Sequence, residues 1–248
     1  MSRRGIYLLP NLFTTAALFA GFYSIVQGIT GNYTRAAIAV FFAAVMDSLD
    51  GRVARMTKTQ SAFGAEYDSL SDMVSFGVAP AVLVYVWTLY GLDKFGLGWI
   101  AAFVYVAGAA LRLARFNTML EVADKRWFMG IPSPAAAALV VSFVWIAHDS
   151  GYAAHKLQWL AWAVTMFAGL TMPSNLKYYS FKSINLRKSV PFVVVFLVVL
   201  IFAVIAWQPP LALFSVFVIY AVSGYVISGY LLCRHRRRAK KASVKSIH

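Results

Sequence analysis

The sequence predicts an all-α membrane protein, a polytopic bundle of about eight transmembrane helices with both termini in the cytoplasm. Of the 248 residues, 60% are hydrophobic and only 13% are charged. The apolar residues also fall into runs close to the ~20 residues that a helix needs to cross a bilayer. This composition excludes an ordinary soluble domain. The single cysteine, Cys233, excludes an internal disulfide.

Taken in order, the apolar runs predict the helices, and glycine, asparagine and proline mark several of the turns between them. The expected helices cover residues 8–28, 34–56, 66–90, 97–118, 132–148, 155–172, 189–207 and 209–232. No linker or break in composition indicates a second domain. We therefore expect one transmembrane domain over residues 1–232, followed by a basic cytoplasmic tail over residues 233–248.

The distribution of basic residues predicts the orientation of the bundle. With both termini inside, 20 of the 23 Lys and Arg residues lie on the cytoplasmic side, and only Arg35, Lys94 and Lys156 lie outside. Cytoplasmic loops of membrane proteins carry such an excess of positive charge. With no organelle-targeting segment evident, we expect the inner (cytoplasmic) membrane of a prokaryote.

The net charge of +14 does not indicate a nucleic-acid-binding protein. The basic tail has no interleaved aromatic residues to stack on bases. A basic segment next to a membrane helix is instead attracted to anionic lipid headgroups. We expect membrane lipids, and no nucleic acid, among the partners.

One polar stretch, residues 47–72, interrupts the apolar pattern. Five of the nine acidic residues of the chain lie in it: Asp47, Asp50, Glu66, Asp68 and Asp72. A single carboxylate at mid-membrane depth costs about 2.5–3.5 kcal/mol, so four or five unpaired carboxylates would cost on the order of 10 kcal/mol. We infer that these carboxylates bind a common positive charge.

The spacing of four of these acids predicts a metal site. Asp47 and Asp50 are three residues apart, and Asp68 and Asp72 are four apart, so each pair projects from one face of a helix. Carboxylates without His or Cys suit Mg²⁺ or Mn²⁺, with Ca²⁺ as a further occupant, rather than zinc. A salt-bridged membrane surface is the alternative for each residue taken singly.

Small and basic residues are interspersed among the acids. Gly51 and Gly64 allow close approach of a helix or a planar ligand. Arg52 and Arg55 follow one turn after the first acid pair, where a guanidinium can hold phosphate or neutralise a carboxylate. This combination is compatible with a phosphate-bearing ligand beside the metal and with simple charge neutralisation.

Together these residues fit the pattern D-x-x-D-G-x-x-A-R-x8-G-x3-D-x3-D. The matching positions are Asp47, Asp50, Gly51, Ala54, Arg55, Gly64, Asp68 and Asp72. The pattern resembles the signature of the CDP-alcohol phosphatidyltransferases. In that family the motif binds two divalent cations and the CDP part of a CDP-linked lipid. An alcohol then attacks the phosphorus attached to the diacylglycerol, and CMP leaves.

The resemblance implies roles for individual residues. The metal ligands would be Asp47, Asp50, Asp68 and Asp72, and Asp72 would also be the catalytic general base. The CDP-lipid would contact Asn11, Thr14, Asp50, Gly51, Ala54, Arg55, Gly64 and Asp68. Since Asn11 and Thr14 follow Pro10 at the start of the first helix, capping and helix packing are the alternative for these two. The resemblance also implies a homodimer.

Segments outside the motif narrow the resemblance to the phosphatidylserine synthase branch. These segments are residues 68–81, 112–117, 130–138 and 174–182. The branch implies transfer of the phosphatidyl group from CDP-diacylglycerol to L-serine. The same chemistry with glycerol 3-phosphate, inositol phosphate or choline is the alternative within the family.

A serine acceptor requires a cation for its carboxylate. Arg112 and Arg115, near the inner end of the fourth predicted helix, are candidates because arginine at this depth is costly without an anion. Snorkelling to the interface or contact with lipid phosphate is the alternative. The expected serine-binding residues are Ser75, Arg112, Arg115 and Asn117, and the expected phosphate-binding residues are Lys177 and Lys182.

A cation transporter is the rival function from a different class. It would also place carboxylates in the membrane, but spread along a path through the bundle. Here the acids cluster near one face, so the sequence favours the enzyme.

Overall fold

The computed structural model describes residues 8–59, 61–119, 127–179 and 206–245. The elements are α1 (Leu8–Ile29), α2 (Tyr33–Thr57), α3 (Ala62–Asp72), a π-helical segment (Met73–Val78), α4 (Ala79–Trp87), a 3₁₀ helix (Leu89–Phe95), α5 (Leu97–Met119), β1 (Trp127–Met129), α6 (Ser133–Asp149), a second 3₁₀ helix (Ala154–Leu157), α7 (Gln158–Thr171), β2 (Lys177–Tyr179) and α8 (Pro209–Lys245). The predominantly helical prediction is confirmed. Apart from its last two residues, the helix predicted at 189–207 lies outside the described residues.

Several of these helices have the length and composition of membrane spans. In the described part of the chain, four helical stretches qualify: Pro10–Ile29, Ala62–Trp87, Leu97–Thr118 and Pro209–Tyr230. The helix Ser133–Asp149 is apolar but shorter. Large apolar side chains such as Phe19, Phe103 and Ile219 are more than 60% exposed, as lipid-facing residues are. The fold is that of a polytopic membrane helix bundle.

A small antiparallel sheet corrects the all-α prediction. β1 pairs with β2, so that Trp127 lies opposite Tyr179 and Met129 opposite Lys177. Strands of three residues are too short to show an alternating pattern, which is why the sequence did not reveal them. Gly130 follows β1 with a φ of +74°, and a Cβ there would collide with the carbonyl oxygen of Met172. The backbone after β1 therefore packs directly against the backbone at the end of α7.

α6 is the most buried helix among those described. Ala136, Val140 and Val144 on this helix are completely buried, and it contacts α2, α4, α7 and α8. Its run of alanines lets neighbouring backbones approach closely. Residues at the first turn of α6 are therefore fixed against several other helices.

α1 aligns the two helices that carry the acidic motif. The hydroxyl of Ser24 on α1 donates to the carbonyl oxygen of Ala36 on α2 at 2.8 Å. On the other side, Ser71 of α3 donates to the carbonyl oxygen of Thr14 at 3.1 Å. The amino end of α3 is capped by Ser61, whose Oγ accepts the backbone N–H of Gly64 at 3.0 Å. α2 and α3 are therefore held beside each other through their shared neighbour.

α8 is longer than predicted. It continues as one helix from Pro209 to Lys245, past the position where the basic tail was predicted to begin. Most of the predicted tail, residues 233–248, therefore has a helical backbone. That this segment is a separate cytoplasmic unit remains a prediction.

Candidate functional site

Three carboxylates from α2 and α3 form a compact group. Asp47, Asp50 and Asp68 each offer an oxygen, and these oxygens lie within 4.8 Å of one another. Asp50 is only 4% exposed, and the other two are half-buried. Like charges this close are mutually destabilising unless protons or a cation intervene. The donor set, all oxygen and all anionic, fits a hard divalent cation.

Asp72 lies beside this group, one helical turn further along α3. The carboxylate of Asp47 interacts with those of both Asp68 and Asp72, so Asp47 links the fourth acid to the other three. The structure thus brings all four predicted acids together. It also distinguishes them, because Asp72 is not part of the compact three-oxygen group.

Thr14 supports one of the three carboxylates. Its hydroxyl donates to Oδ2 of Asp50 at 2.7 Å and also lies 3.2 Å from the carbonyl oxygen of Pro10. Thr14 is 4% exposed. This placement favours orientation of Asp50 over the direct nucleotide contact that the resemblance implied for Thr14.

We expect Thr14→Val to weaken Mn²⁺ binding about tenfold, because residues that orient metal ligands typically contribute 10–100-fold to affinity. Valine keeps the shape of threonine but cannot donate to Asp50. Electron paramagnetic resonance of free Mn²⁺ in a titration of the purified protein measures this affinity. Thr14→Ser is the matched control and should bind nearly as well as the wild type. Equal affinity in Thr14→Val would show that the hydrogen bond does not orient a ligand.

The predicted nucleotide-side residues flank the acid group. A Cβ on Gly64 would lie 3.6 Å from Oδ1 of Asn11, and a Cβ on Gly51 would lie 3.6 Å from Nη1 of Arg55. A polar group therefore lies next to each glycine. Gly64 on α3 is next to the amide of Asn11 on α1, and Gly51 is next to the guanidinium of Arg55 on the same helix, α2. Ala54 is half-buried on α2, and Arg55 is exposed. These groups can donate to a phosphate or to the polar edge of a base.

The two arginines predicted to clamp the acceptor have different surroundings. Arg115 donates through Nη2 to Oδ1 of Asn175 at 2.7 Å and through Nη1 to the carbonyl oxygen of Pro173 at 3.3 Å. It ties the end of α5 to the segment that follows α7. Its guanidinium is used largely within the protein.

Arg112 faces the acid group instead. Its Nη1 donates to Oγ of Ser133 at 2.7 Å, and its charge interacts with that of Asp72. Its Nε is buried and has no hydrogen-bond partner within the described residues. A buried donor left unpaired costs about 1–3 kcal/mol, so a ligand that accepts from this nitrogen would remove that cost.

Ser75 packs against α1. It is completely buried, and its hydroxyl donates to the carbonyl oxygen of Ala17 on α1 at 3.0 Å. Its predicted place on the face of Asp72 assumed an α-helix. The chain is π-helical from Met73 to Val78. Ser71, four residues earlier, also donates to α1, so both serines face that helix.

The remaining predicted residues lie at the edge of the site or beyond it. Asn117 donates to Oγ of Ser69 at 3.0 Å and so joins α5 to the residue after Asp68. Lys177 is exposed on β2. Lys182 lies outside the described residues, so its predicted role in phosphate binding stays a prediction.

Two residues that the sequence analysis did not name lie near Arg112. Ser133 at the start of α6 is completely buried, and Tyr220 on α8 interacts electrostatically with the arginine. Ser133 lies within the segment 130–138 that resembles the phosphatidylserine synthases, which was the only signal for it. Nothing local marked Tyr220, because its position depends on the packing of α8.

Comparison with known proteins gives a matching family and several similar proteins. The CDP-alcohol phosphatidyltransferase family model matches residues 7–167. A Helicobacter pylori protein named CDP-diacylglycerol–serine O-phosphatidyltransferase is 38% identical over 224 residues, which are 89% of this chain and 91% of that protein. A Mycobacterium leprae protein of the same name is 38% identical over 175 residues, 67% of this chain and 54% of its own. The archaetidylserine synthase of Methanothermobacter thermautotrophicus is 35% identical over 167 residues, 66% of this chain and 69% of its own. This chain belongs to the CDP-alcohol phosphatidyltransferase family.

Proposed function

We propose that the protein transfers the phosphatidyl group from CDP-diacylglycerol to L-serine, giving phosphatidylserine and CMP. The group formed by Asp47, Asp50 and Asp68 carries the proposal, because it offers a cation site next to a further carboxylate and a buried arginine. Two relatives at 38% identity are named for this reaction, and the name of the third also contains serine.

The acid group would hold two divalent cations, Mg²⁺ or Mn²⁺. When bound, these ions neutralise charge on the pyrophosphate oxygens and make CMP a better leaving group. Asp47, Asp50 and Asp68 are the ligands that the geometry favours, with Asp72 at their edge. Thr14 would keep the Asp50 carboxylate turned toward the metal.

Residues on both sides of the acid group would bind the CDP-lipid. Arg55 can pair with a phosphate oxygen, and Gly51 and Ala54 leave room for the nucleotide on α2. On α3, Gly64 gives the base access to the amide of Asn11. The diacylglycerol chains would extend into the bilayer beside the helices.

Asp72 would accept the proton of the serine hydroxyl as the oxygen attacks phosphorus. Its carboxylate interacts with those of Asp47 and Asp68 on one side and with the charge of Arg112 on the other, so it lies between the metal group and the proposed acceptor site. A carboxylate close to cations is a weak base, so exclusion of water around the hydroxyl must supply part of the activation.

Arg112 would bind the serine carboxylate, and Arg115 would hold the α5 end in place. We expect Arg112→Lys to raise the KM for serine at least about tenfold, because an ammonium cannot reproduce the planar bidentate pairing of a guanidinium. Initial rates over a serine titration at saturating CDP-diacylglycerol measure this. Arg115→Lys is the matched comparison. It should lower the melting temperature of the protein and leave the KM for serine close to that of the wild type. An unchanged KM for serine in Arg112→Lys would exclude Arg112 as the clamp.

We further propose that the chain crosses the inner membrane about eight times, with both termini and the acid group at the cytoplasmic side. The positive-inside bias of 20 residues to three supports this orientation. A homodimer is proposed from the family resemblance. Cysteine labelling from either side of the membrane and cross-linking in membranes test these two points.

One assay tests the proposed reaction as a whole. Purified protein in detergent is supplied with CDP-diacylglycerol, Mn²⁺ and radiolabelled serine, and lipid-phase label is counted. We expect label in the lipid phase when Mn²⁺ is present and no label when EDTA chelates the metal. If CMP were released with glycerol 3-phosphate, inositol phosphate or choline, but not with serine, the proposed metal site would stand and serine would be rejected as the acceptor. No CMP release with any alcohol would overturn the proposed reaction.

A further inference from the structure

Within the described residues, the guanidinium of Arg112 is hydrogen-bonded through one nitrogen, Nη1. Nη1 donates to Ser133, whereas Nε is buried and unpaired within the described residues. The side edge of a guanidinium, formed by Nε and Nη2, is one of the edges on which a carboxylate pairs bidentately. The hydrogen bond to Ser133 therefore occupies the nitrogen that this pairing does not need.

Ser133 is itself placed by several neighbours. It is the first residue of α6 and is completely buried. The residues just before Ser133 are also held in place. The backbone N–H of Gly130 donates to the carbonyl oxygen of Leu176 at 2.8 Å, and Ile131 is completely buried. The Ser133 hydroxyl therefore has a fixed position from which to orient a flexible arginine.

The neighbouring acid does not satisfy the free side of Arg112. The charges of Arg112 and Asp72 interact, but no hydrogen bond joins the two side chains in the described part of the chain. A ligand with a carboxylate at one end and a hydroxyl at the other can contact both residues. Amino acids that bear a side-chain hydroxyl have this arrangement.

We propose that Ser133 is a positioning residue that turns the Nε edge of Arg112 toward the carboxylate of the acceptor. Ser133 acts through the arginine and makes no contact with the reacting atoms. The inference rests on the proposed function and deepens it by adding a determinant of acceptor affinity on α6. It separates acceptor binding, through Arg112 and Ser133, from CDP-lipid and metal binding, through α2 and α3.

The test compares Ser133→Ala with Ser142→Ala. Ser142 is the matched control, since it is equally buried on the same helix but its hydroxyl donates to Ala138 of that helix. For Ser133→Ala we expect the KM for serine to rise about tenfold, as for loss of one hydrogen bond to a charged group. The KM for CDP-diacylglycerol and the affinity for Mn²⁺ should stay within about twofold of the wild type. For Ser142→Ala all three values should match the wild type.

Two further measurements keep the test decisive. Calorimetric titration with serine, on protein loaded with Mn²⁺, should show the same loss of affinity without turnover. If Ser133→Ala does not fold, Ser133→Cys retains nearly the same volume with a weaker acceptor atom and should show a smaller rise in KM. A KM for serine that is unchanged in the folded variant, or that rises together with the KM for CDP-diacylglycerol, would overturn the inference.

Failure of the proposed function gives a different result. In that case the wild-type protein would release CMP with another alcohol, or with none, before any variant is compared. That outcome would overturn the proposed acceptor and this inference together. A wild type that uses serine, with no selective effect of Ser133→Ala, would overturn the inference alone.

Discussion

Asp72→Asn is expected to lower kcat for phosphatidyl transfer about 100- to 10,000-fold, the range that a general base contributes. Asparagine has nearly the same size but cannot accept the proton of the attacking hydroxyl. Binding of CDP-diacylglycerol should persist, because the compact oxygen group of Asp47, Asp50 and Asp68 does not include Asp72. The variant should therefore separate binding from turnover.

Single-turnover rates and equilibrium binding of CDP-diacylglycerol to the same preparation measure the two properties. Glu66→Gln is the matched control, because Glu66 is an exposed acid on the same helix. It should retain wild-type kcat and binding. A parallel loss of binding and turnover in Asp72→Asn would instead place Asp72 among the primary metal ligands.

Asp68→Asn is expected to abolish both metal binding and turnover, with activity reduced about 1000-fold or more, as for loss of a principal electrostatic group in an active site. Asp68 is the α3 member of the three-oxygen group, so its removal leaves both remaining ligands on α2. The same change removes one of several like charges in a low-dielectric site. We therefore expect the metal-free variant to be at least as stable as the metal-free wild type.

Thermal unfolding with and without Mn²⁺ tests this directly. A ligand that binds only the folded state raises the melting temperature, and the rise grows with the logarithm of one plus the ratio of the free ligand concentration to Kd. Mn²⁺ should raise the melting temperature of the wild type and of Glu66→Gln, but not that of Asp68→Asn. A normal Mn²⁺-induced shift in Asp68→Asn would show that the metal is held elsewhere. Loss of the shift with full activity would show that the metal is not needed for the reaction.

The acidic motif could be predicted well from the chain because its signal is local. Two carboxylates three or four residues apart on a helix share a face whatever the rest of the protein does. Their cost in an apolar environment also required a common partner. The structure brings Asp47, Asp50 and Asp68 within reach of one ion, as that argument expected.

The acceptor side could be predicted only in part. Arg112 and Arg115 are three residues apart on one helix, and nothing in their spacing tells which faces the site. The difference arises from Ser133 on α6 and from Pro173 and Asn175 after α7, which take up one guanidinium each. These partners are distant in sequence, so only the folded chain distinguishes the two arginines.

Ser75 and Thr14 show two further limits of local reasoning. Ser75 was predicted to line the acceptor pocket, and in the structure its hydroxyl donates to the carbonyl oxygen of Ala17 on α1. Thr14 was predicted to contact a nucleotide, and in the structure its hydroxyl also donates to Asp50, 36 residues away in the sequence. Hydrogen bonds between helices cannot be read from the periodicity of either helix.

Composition, the lengths of the apolar runs and the spacing of the acids were sufficient to establish a helical membrane protein with a carboxylate site, because each depends on residues close in sequence. The β1–β2 sheet, the positions of Ser133 and Tyr220 beside Arg112, and the approach of Asp72 to Asp47 depended on packing between distant segments. Those contacts are decided by which helix faces meet across the bundle. That choice is made by the burial and hydrogen bonding of the whole chain together.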